Sequence, residues 1–531
     1  MSYDVIIVGA GPAGTFAARG LEGHRVLVLD VGREPKAKRD VLDRNLYDAR
    51  SSGADLFEDV IGSSFESLHN VDKNYLSPKL KAPLVRFVSD SWRDYFPVAC
   101  SGFDPVQSFA RGGLANVWGG GCFRFTDTEL GEFPIQLAEL SEHYDDLTRH
   151  IGISGVEDDL APWFGTAKAC LPALRPSRLG ADILLRYQRR RSSFSKLGVH
   201  VGLPRMAVLS QEHRGRPSYD YQGLEFFKAH LPSIYNPAFT LQELEDAGRI
   251  DYRTPWLVER FRDLDDGVEV EARNVETREL ARFRARKLVL AAGTLGTAKI
   301  ALRSRDDRST RLPLLDNLIS YVPLVGWRHI GRSVEHESLP IQLNVICEMD
   351  PREGAPVAPL QASLYGVTAT LWNDILFDLP FACRDNIRLL KRLLPAMIVV
   401  QLFYPDHARQ CNFVQLMGDS TLRLQYEART LGEVERRLLR AFRRVGFFGS
   451  PSLCKYPDPG NSFHYAGCLP MRRDPGPYET APDGRLGTTR HVYVADAASF
   501  PSLPSKNLTF TIMANAQRIG AKLADRLREE V

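Results

Sequence analysis

The chain opens on an apolar run with β-branched residues, 3–8, which stops at Gly-Ala-Gly-Pro-Ala-Gly. Small apolar residues then recur at helical spacing over 15–21, and HRVLVLD, ending at Asp30, returns to a strand, so the pattern predicts a βαβ unit. Residues 33–101 are mixed in polarity, with only SPKLKAPLVRFV (77–88) reading as extended. A helix is predicted late in 127–151, after Pro134, whereas 155–240 lacks periodicity. Alternation resumes at 249–274, across an Asp-Asp-Gly turn, and at 282–304 a strand runs through Ala-Ala-Gly into a helix. QLNVICEMD and VQLMGDSTLRLQYE read as strands within 305–455. Between them, RDNIRLLKRLLPAMIVVQLFYP joins a basic amphipathic helix to an apolar run across Pro395. It reads as a helix on a sheet followed by a buried strand, with a membrane-surface contact or dimer face as the alternative. Finally, a strand delivers Asp496, a proline-rich turn follows, and a helix runs to the end.

A length of 531 residues exceeds what one core supports. The alternation of strands and helices predicts an α/β protein, α+β overall. A discontinuous Rossmann-like nucleotide-binding domain is expected from 1–154, 241–304 and 456–531, and a mixed-sheet substrate-binding domain from 155–240 and 305–455. Lys and Arg exceed Asp and Glu by only 3 and are spread along the chain, which argues against nucleic acid and for a small-molecule partner. The eight cysteines lack metal-ligand or C-x-x-C spacing and read as reduced packing residues, with no metal expected. A strand starting so near the first residue, and the lack of an 18-residue apolar run, lead to the expectation of a cytoplasmic protein without a signal peptide or transmembrane segment. Oligomeric state stays open.

The chemistry begins with Gly9, Gly11 and Gly14, at G-x-G-x-x-G spacing around Pro12 and Ala13, after a strand and opening a helix. The first glycine allows the turn, the second lets a pyrophosphate approach, and the third lets helix and strand pack closely. Asp30, 16 residues beyond Gly14, is placed to accept ribose hydroxyls. The strand ending at Asp496 and Ala497, with the helix beginning near Asn507, resembles the last βα element of FAD-binding folds, which favours FAD over NAD.

Four separated segments now carry a family resemblance: GAGPAG with Asp30, RGGLANVWGGG, LVLAAGTLGTAKIALRS, and SFHYAGCLPM with VADAASFPSLPSKNLTFTIMANAQRI. They resemble the glucose-methanol-choline oxidoreductases, in the branch of sugar oxidases similar to pyranose oxidase and glycoside oxidases. The resemblance implies an active-site histidine in H-x-x-G-T-x-x-M, matched by His464, Gly467 and Met471 with Cys468 in place of threonine. It implies a partner in N-P-T-x-T, matched by Asn507, Thr509 and Thr511 with Leu508 in place of proline. It further implies that Arg111, Gly112, Gly113, Asn116, Val117, Trp118 and Gly119 pass near the isoalloxazine ring, and that Val258, Ala292 and Gly293 contact the adenosine half. In such relatives a histidine just before that tryptophan can be bonded to the flavin. Val117 stands there, so noncovalent FAD is expected; a plain surface loop is the alternative reading of this glycine-rich segment.

Removing a hydride from a carbon bearing a hydroxyl requires the O–H proton to leave as well, and a neutral imidazole can take it. His464 is therefore the expected base and Asn507 the group that orients the hydroxyl without titrating. Asn507 could instead cap the last helix. Lys506 is expected to face solvent, or else to favour an anionic substrate. The function expected is oxidation of a secondary alcohol of a sugar, glycoside or similar polyol to a ketone, with oxygen or another small acceptor reoxidising the flavin. The alternatives are oxidation of a hydrophobic alcohol, such as a sterol or natural-product scaffold, and a redox-silent flavoprotein of lyase type. Polar and aromatic lining from 155–240 and 305–455 would favour sugar, aliphatic lining sterol. Motifs of serine hydrolases, zinc proteases and P-loop NTPases do not occur.

Overall fold

The computed structural model describes residues 3–35, 52, 57–64, 67, 80, 82–221, 232–335, 337–349, 358–367, 376, 379–418 and 420–530. Tyr3–Val8, with four of its six residues buried, forms the middle of a seven-stranded sheet. It pairs in parallel with Val26–Leu29 on one side and with Leu280–Leu290 on the other. Ile250–Arg253 extends the sheet beyond Val26–Leu29, and Val492–Val494 pairs with the end of Leu280–Leu290. Strands covered on both faces read as unbroken apolar runs, which is why VIIV and VLVL are recognisable. The first half of Leu280–Leu290 pairs antiparallel with Gly267–Asn274, which pairs with Trp256–Leu264 across the Asp-Asp-Gly turn.

Two helices draw the chain ends together on this sheet. Pro12–Gly20 packs on Thr509–Glu529 through facing glycines: a Cβ on Gly520 would lie 2.3 Å from the Ala17 carbonyl oxygen, and one on Gly20 would lie 2.6 Å from that of Gln517. That approach holds the start of the last helix beside the first glycine loop.

A second, six-stranded sheet is antiparallel throughout. Its order is Phe447–Phe448, Ile319–Gly326, Met397–Phe403, Leu360–Gly366, Ile341–Cys347 and Val199–Gly202. One apolar core runs through both sheets, from Ile6 and Leu288 to Val322, Leu343 and Val400. The architecture is thus the expected Rossmann-like unit beside a sheet-based unit, whose six-stranded sheet is antiparallel where a mixed sheet was expected. Local expectations fared unevenly. The helix after Pro134 is Leu137–Ile151, and the segment across Pro395 is Cys383–Leu393 followed by the mostly buried strand Met397–Phe403. The extended reading of 77–88 is corrected: Pro83–Val88 is a 3-10 helix, and 77–79 and 81 lie outside the described residues. Residues 155–240, which showed no period, hold Arg178–Arg189, whose Ser177 accepts a hydrogen bond from Gly180 N and so caps it. Among the described residues no helix is long and apolar enough to cross a membrane.

Candidate active site

A cavity of about 370 Å³ runs between the two sheets, from Gly9, Gly11, Pro12, Ala13 and Asp30 at one end to His464 and Asn507 at the other. The near end is shaped by backbone contacts that a side chain would block. Gly9 has φ +95° and a Cβ there would lie 2.6 Å from the Ala291 carbonyl oxygen. A Cβ on Gly14 would lie 1.8 Å from the carbonyl oxygen of Gly9, so Gly14 closes helix onto strand behind the cavity and does not line it. Gly113 meets the first loop directly, a Cβ there standing 3.3 Å from Gly11 Cα. Asp30 accepts a hydrogen bond from Tyr252 Oη at 3.0 Å, and burial pushes its carboxyl up to about 7.

The remaining residues expected at a cofactor divide in two. Val117, Trp118, Gly119, Val258, Ala292, Gly293, Asp496, Ala497, Leu508 and Thr509 line the cavity. Arg111, Gly112 and Asn116 stand behind it. Arg111 pairs with Glu245 at 3.0 Å and lies over the Tyr252 ring, a Cβ on Gly112 would lie 2.4 Å from Asn236 Oδ1, and Asn116 donates to the carbonyls of Arg111 and Gly113 while accepting from Asn236 Nδ2 at 2.8 Å. These three hold the loop's shape, and Asn116 is turned into that loop and away from the place the resemblance implied.

At the far end, the segment around His464 lies along the turn after Asp496. Gly467 N, Leu469 N and Met471 N donate to the carbonyls of Ala497, Ala498 and Ser499. His464 is buried, and its ring stacks on Phe403 with centroids 4.8 Å apart and planes at 24°. Its Nδ1 lies 3.0 Å from Oδ1 of Asn317. The Asn317 amide nitrogen donates to the carbonyls of Tyr404 at 2.8 Å and Pro504 at 3.1 Å, so Oδ1 is the atom left to face the imidazole. A carbonyl-type oxygen only accepts, hence Nδ1 carries the proton and Nε2 keeps its lone pair. Nε2 lies 3.5 Å from Nδ2 of Asn507. Burial depresses the imidazole to about 3, so the ring is neutral across the physiological range.

Behind it, Asp316 accepts from Gly460 N at 2.7 Å and from the Ser462 hydroxyl, while Ser462 Oγ accepts from His464 N at 2.9 Å. Burial lifts the Asp316 carboxyl to about 7.

Asn507 is not the cap of the last helix. That helix starts at Thr509 after Leu508, without a side-chain cap, and the Asn507 amide is directed to His464. The last glycine of the RGGLANVWGGG segment makes room for it, since a Cβ on Gly121 would lie 3.1 Å from Asn507 Oδ1. Lys506 corrects the expectation of a solvent-facing or substrate-facing lysine. It is fully buried, paired with Glu129, and donates to the carbonyls of Arg124 at 2.8 Å and Trp163 at 2.6 Å. A buried ammonium with a carboxylate and two carbonyls is satisfied internally, and it ties the backbone beside Asn507 to Arg124, Glu129 and Trp163 behind the cavity. Cys468 is buried away from the cavity.

The second sheet contributes Tyr365, Gln401 and Phe403 to the far end. Gln401 is legible in retrospect as the lone polar residue in an otherwise apolar strand, and its Nε2 donates to Tyr321 Oη at 3.2 Å. Asn317 carries no such signal.

Residues 455–516 match the family model described as GMC oxidoreductase. Paromamine 6'-oxidase of Streptomyces fradiae is 24% identical over 98% of this chain and 91% of its own length. The crystal structure of pyridoxine 4-oxidase from Mesorbium loti superposes with a TM-score of 0.60 at 15% identity, covering 99% of each chain. The chain thus resembles the GMC oxidoreductases in its C-terminal segment, and along its whole length it resembles a curated oxidase in sequence and a solved oxidase in fold.

Proposed function

We propose that the chain oxidises a secondary hydroxyl of a sugar, glycoside or similar polyol to a ketone, with His464 as base, Asn507 as orienting donor and FAD held noncovalently along the cavity. The observation that carries this reading is the fixed tautomer of His464, whose unprotonated Nε2 stands beside the Asn507 amide. The residues present suit FAD: a glycine-walled passage with the Asp30 carboxyl at one end opens into the chamber of His464 at the other. Gly11, Gly113 and Ala13 would flank the pyrophosphate, Val258 and Glu259 the adenosine, and Val117, Trp118 and Ala497 the ring system. FAD bound there supplies a two-electron acceptor for the hydride.

The protein's own part is binding, orientation and proton transfer. A substrate hydroxyl oxygen between His464 and Asn507 would accept from Asn507 Nδ2 and donate to His464 Nε2. As the carbon loses hydride, the O–H proton passes to Nε2 and the C–O bond becomes a carbonyl. Stacking on Phe403 and the bond to Asn317 keep the imidazole from turning away. From 305–455 the cavity receives Tyr365, Gln401 and Phe403, two aromatic rings and an amide, with no aliphatic side chain from that stretch among the described residues. Aromatic faces and amides suit the apolar faces and hydroxyls of a sugar better than they suit a sterol, and a relative named for oxidising paromamine supports the same class.

An anaerobic screen of sugars and glycosides, read as bleaching of the flavin absorbance, tests this function. A sugar that bleaches the flavin is expected. Bleaching by sterols alone, or product formation with no bleaching, would replace the reading with one of the two alternatives. Admitting oxygen afterwards reports the acceptor. Val117 offers no nucleophile, so acid denaturation is expected to release yellow flavin into the supernatant, and colour retained in the pellet would overturn noncovalent binding.

The depressed imidazole makes a further prediction. An ordinary histidine base, with its proton lost near 6.5, would cost about tenfold in rate per pH unit below that value. With His464 held to about 3 by burial, the rate of flavin reduction is expected to stay level from about pH 8 to about pH 5. Stopped-flow reduction across that range checks it in the wild type and in Asp316→Asn, which lacks the carboxyl near 7; an acid limb centred near 6.5 in both would contradict the burial argument.

A further inference from the structure

We propose that the outer end of the six-stranded sheet, at strand Ile319–Gly326, docks on an anionic lipid bilayer. Four segments make up this surface: 178–196, 325–335 with 337, 381–394 and 433–456. Together they hold 18 Lys and Arg against 6 Asp and Glu, a net +12 in a chain whose total is +3. The evenly spread charge of the sequence is therefore gathered by folding.

The segments are adjoining. His329 bonds Asp182 at 2.8 Å, and Arg186 reaches the Val445 carbonyl at 3.3 Å. Gly331 N donates to the Arg392 carbonyl at 2.8 Å, Arg444 reaches Ser193 Oγ at 2.6 Å, and Val325 pairs with Phe448. Among these cations stand apolar side chains that folding leaves in water: Phe381 is 61% exposed, Trp327 54%, Ile330 47% and Phe448 46%. Helix Cys383–Leu393 buries only Asn386 and Leu390, and presents Arg384, Arg388, Lys391 and Arg392 outward with one acid, Asp385.

Charge and apolar tips together select the occupant. A second copy of the same surface would meet +12 with +12. A nucleic acid would neutralise the arginines and leave Ile330 and Phe381 in water. An anionic bilayer satisfies both, with headgroup phosphates at the guanidinium groups and the apolar tips in the interfacial layer. Gln401 and Phe403 lie further along the strand that begins at Met397, just past the helix, so docking there leaves the cavity residues in place.

The full-length, FAD-loaded protein is to be sedimented with vesicles of pure phosphatidylcholine and with vesicles containing about 30% phosphatidylglycerol. Binding is expected only to the latter, falling at least about tenfold in about 0.5 M salt. The triple variant Arg388→Gln, Lys391→Gln, Arg392→Gln is expected to lose about tenfold or more in vesicle affinity with flavin reduction unchanged. The double variant Trp327→Ala, Phe381→Ala keeps the charge and is also expected to weaken binding. A measurement without variants uses lipids brominated on the upper acyl chain, which should quench part of the tryptophan fluorescence. Equal binding to both vesicle types, no binding to the anionic ones, tighter binding to a short oligonucleotide than to vesicles at equal total anionic charge, or a dimer that persists in place of vesicle binding would each overturn the proposal.

Discussion

Replacing His464 with alanine is expected to lower the rate of flavin reduction by substrate by about 10³-fold while FAD stays bound. The size follows from the role. Among the described residues at the far end of the cavity, Asn507 and Gln401 are amides, Trp118 and Phe403 hold no base, and burial keeps the phenol of Tyr365 protonated, while the Asp496 carboxyl that also lines the cavity is taken up by Thr297 Oγ1 and Ala498 N. The retained FAD follows from position, because His464 stands at the opposite end of the cavity from Gly9, Gly11 and Asp30. Stopped-flow spectrophotometry under anaerobic conditions, with flavin content measured on the same sample, separates the two effects. An unchanged reduction rate would remove His464 from the chemistry. Loss of FAD together with activity would show that the residue supports the cofactor cavity instead.

How much of this was legible in the sequence depends on how local the cause is. The parallel sheet could be read because a strand buried on both faces leaves a run such as VIIV, and the turn after it must be glycine for the reason seen at Gly9. His464 and Asn507 could be singled out because each sits in a short segment whose neighbours are set by the same fold. Lys506 is hidden from the sequence for the opposite reason. A lysine is normally exposed, and the carboxylate that admits it to the interior, Glu129, lies 377 residues earlier in the chain. The helix Arg178–Arg189 is harder to read because its buried stripe is only Gly180, Ile183 and Tyr187, although Ser177 is a readable cap. Gathering 18 cations on one surface is a property of folding alone, and even spacing along the chain pointed the other way.

Two cationic features therefore act differently in one molecule. The Lys506 ammonium is satisfied inside and shapes the wall beside Asn507, whereas the guanidinium groups on Arg384, Arg388 and Arg392 stay in water on a surface far richer in cations than anions. Removing the first leaves Glu129 buried without its partner and threatens the fold of the active site. Removing the others changes a surface only.

Asn317→Ala is expected to slow flavin reduction by about 10- to 100-fold, and Asn317→Asp to recover much of that loss. The wild-type amide does two things: its nitrogen donates to the carbonyls of Tyr404 and Pro504, and its oxygen accepts from His464 Nδ1. Alanine removes both. With nothing to accept from Nδ1, the imidazole can carry its proton on Nε2 instead, and in that form it has no lone pair for the substrate hydroxyl. Aspartate loses the same two donor bonds, about 1–3 kcal/mol for each unpaired buried carbonyl, and also sets a carboxylate oxygen against those carbonyls, so it costs at least as much stability as alanine. Only aspartate keeps an acceptor facing Nδ1, so the difference in rate between the variants isolates the tautomer from stability. Its negative charge should also raise the His464 pKa and bring an acid limb into the pH profile that the wild type lacks. Nitrogen chemical shifts of His464 are expected to report Nε2 as unprotonated in the wild type and in Asn317→Asp, and as a mixture in Asn317→Ala. Equal rates in the two variants would mean that Asn317 only holds the fold together, and that the tautomer of His464 is set elsewhere.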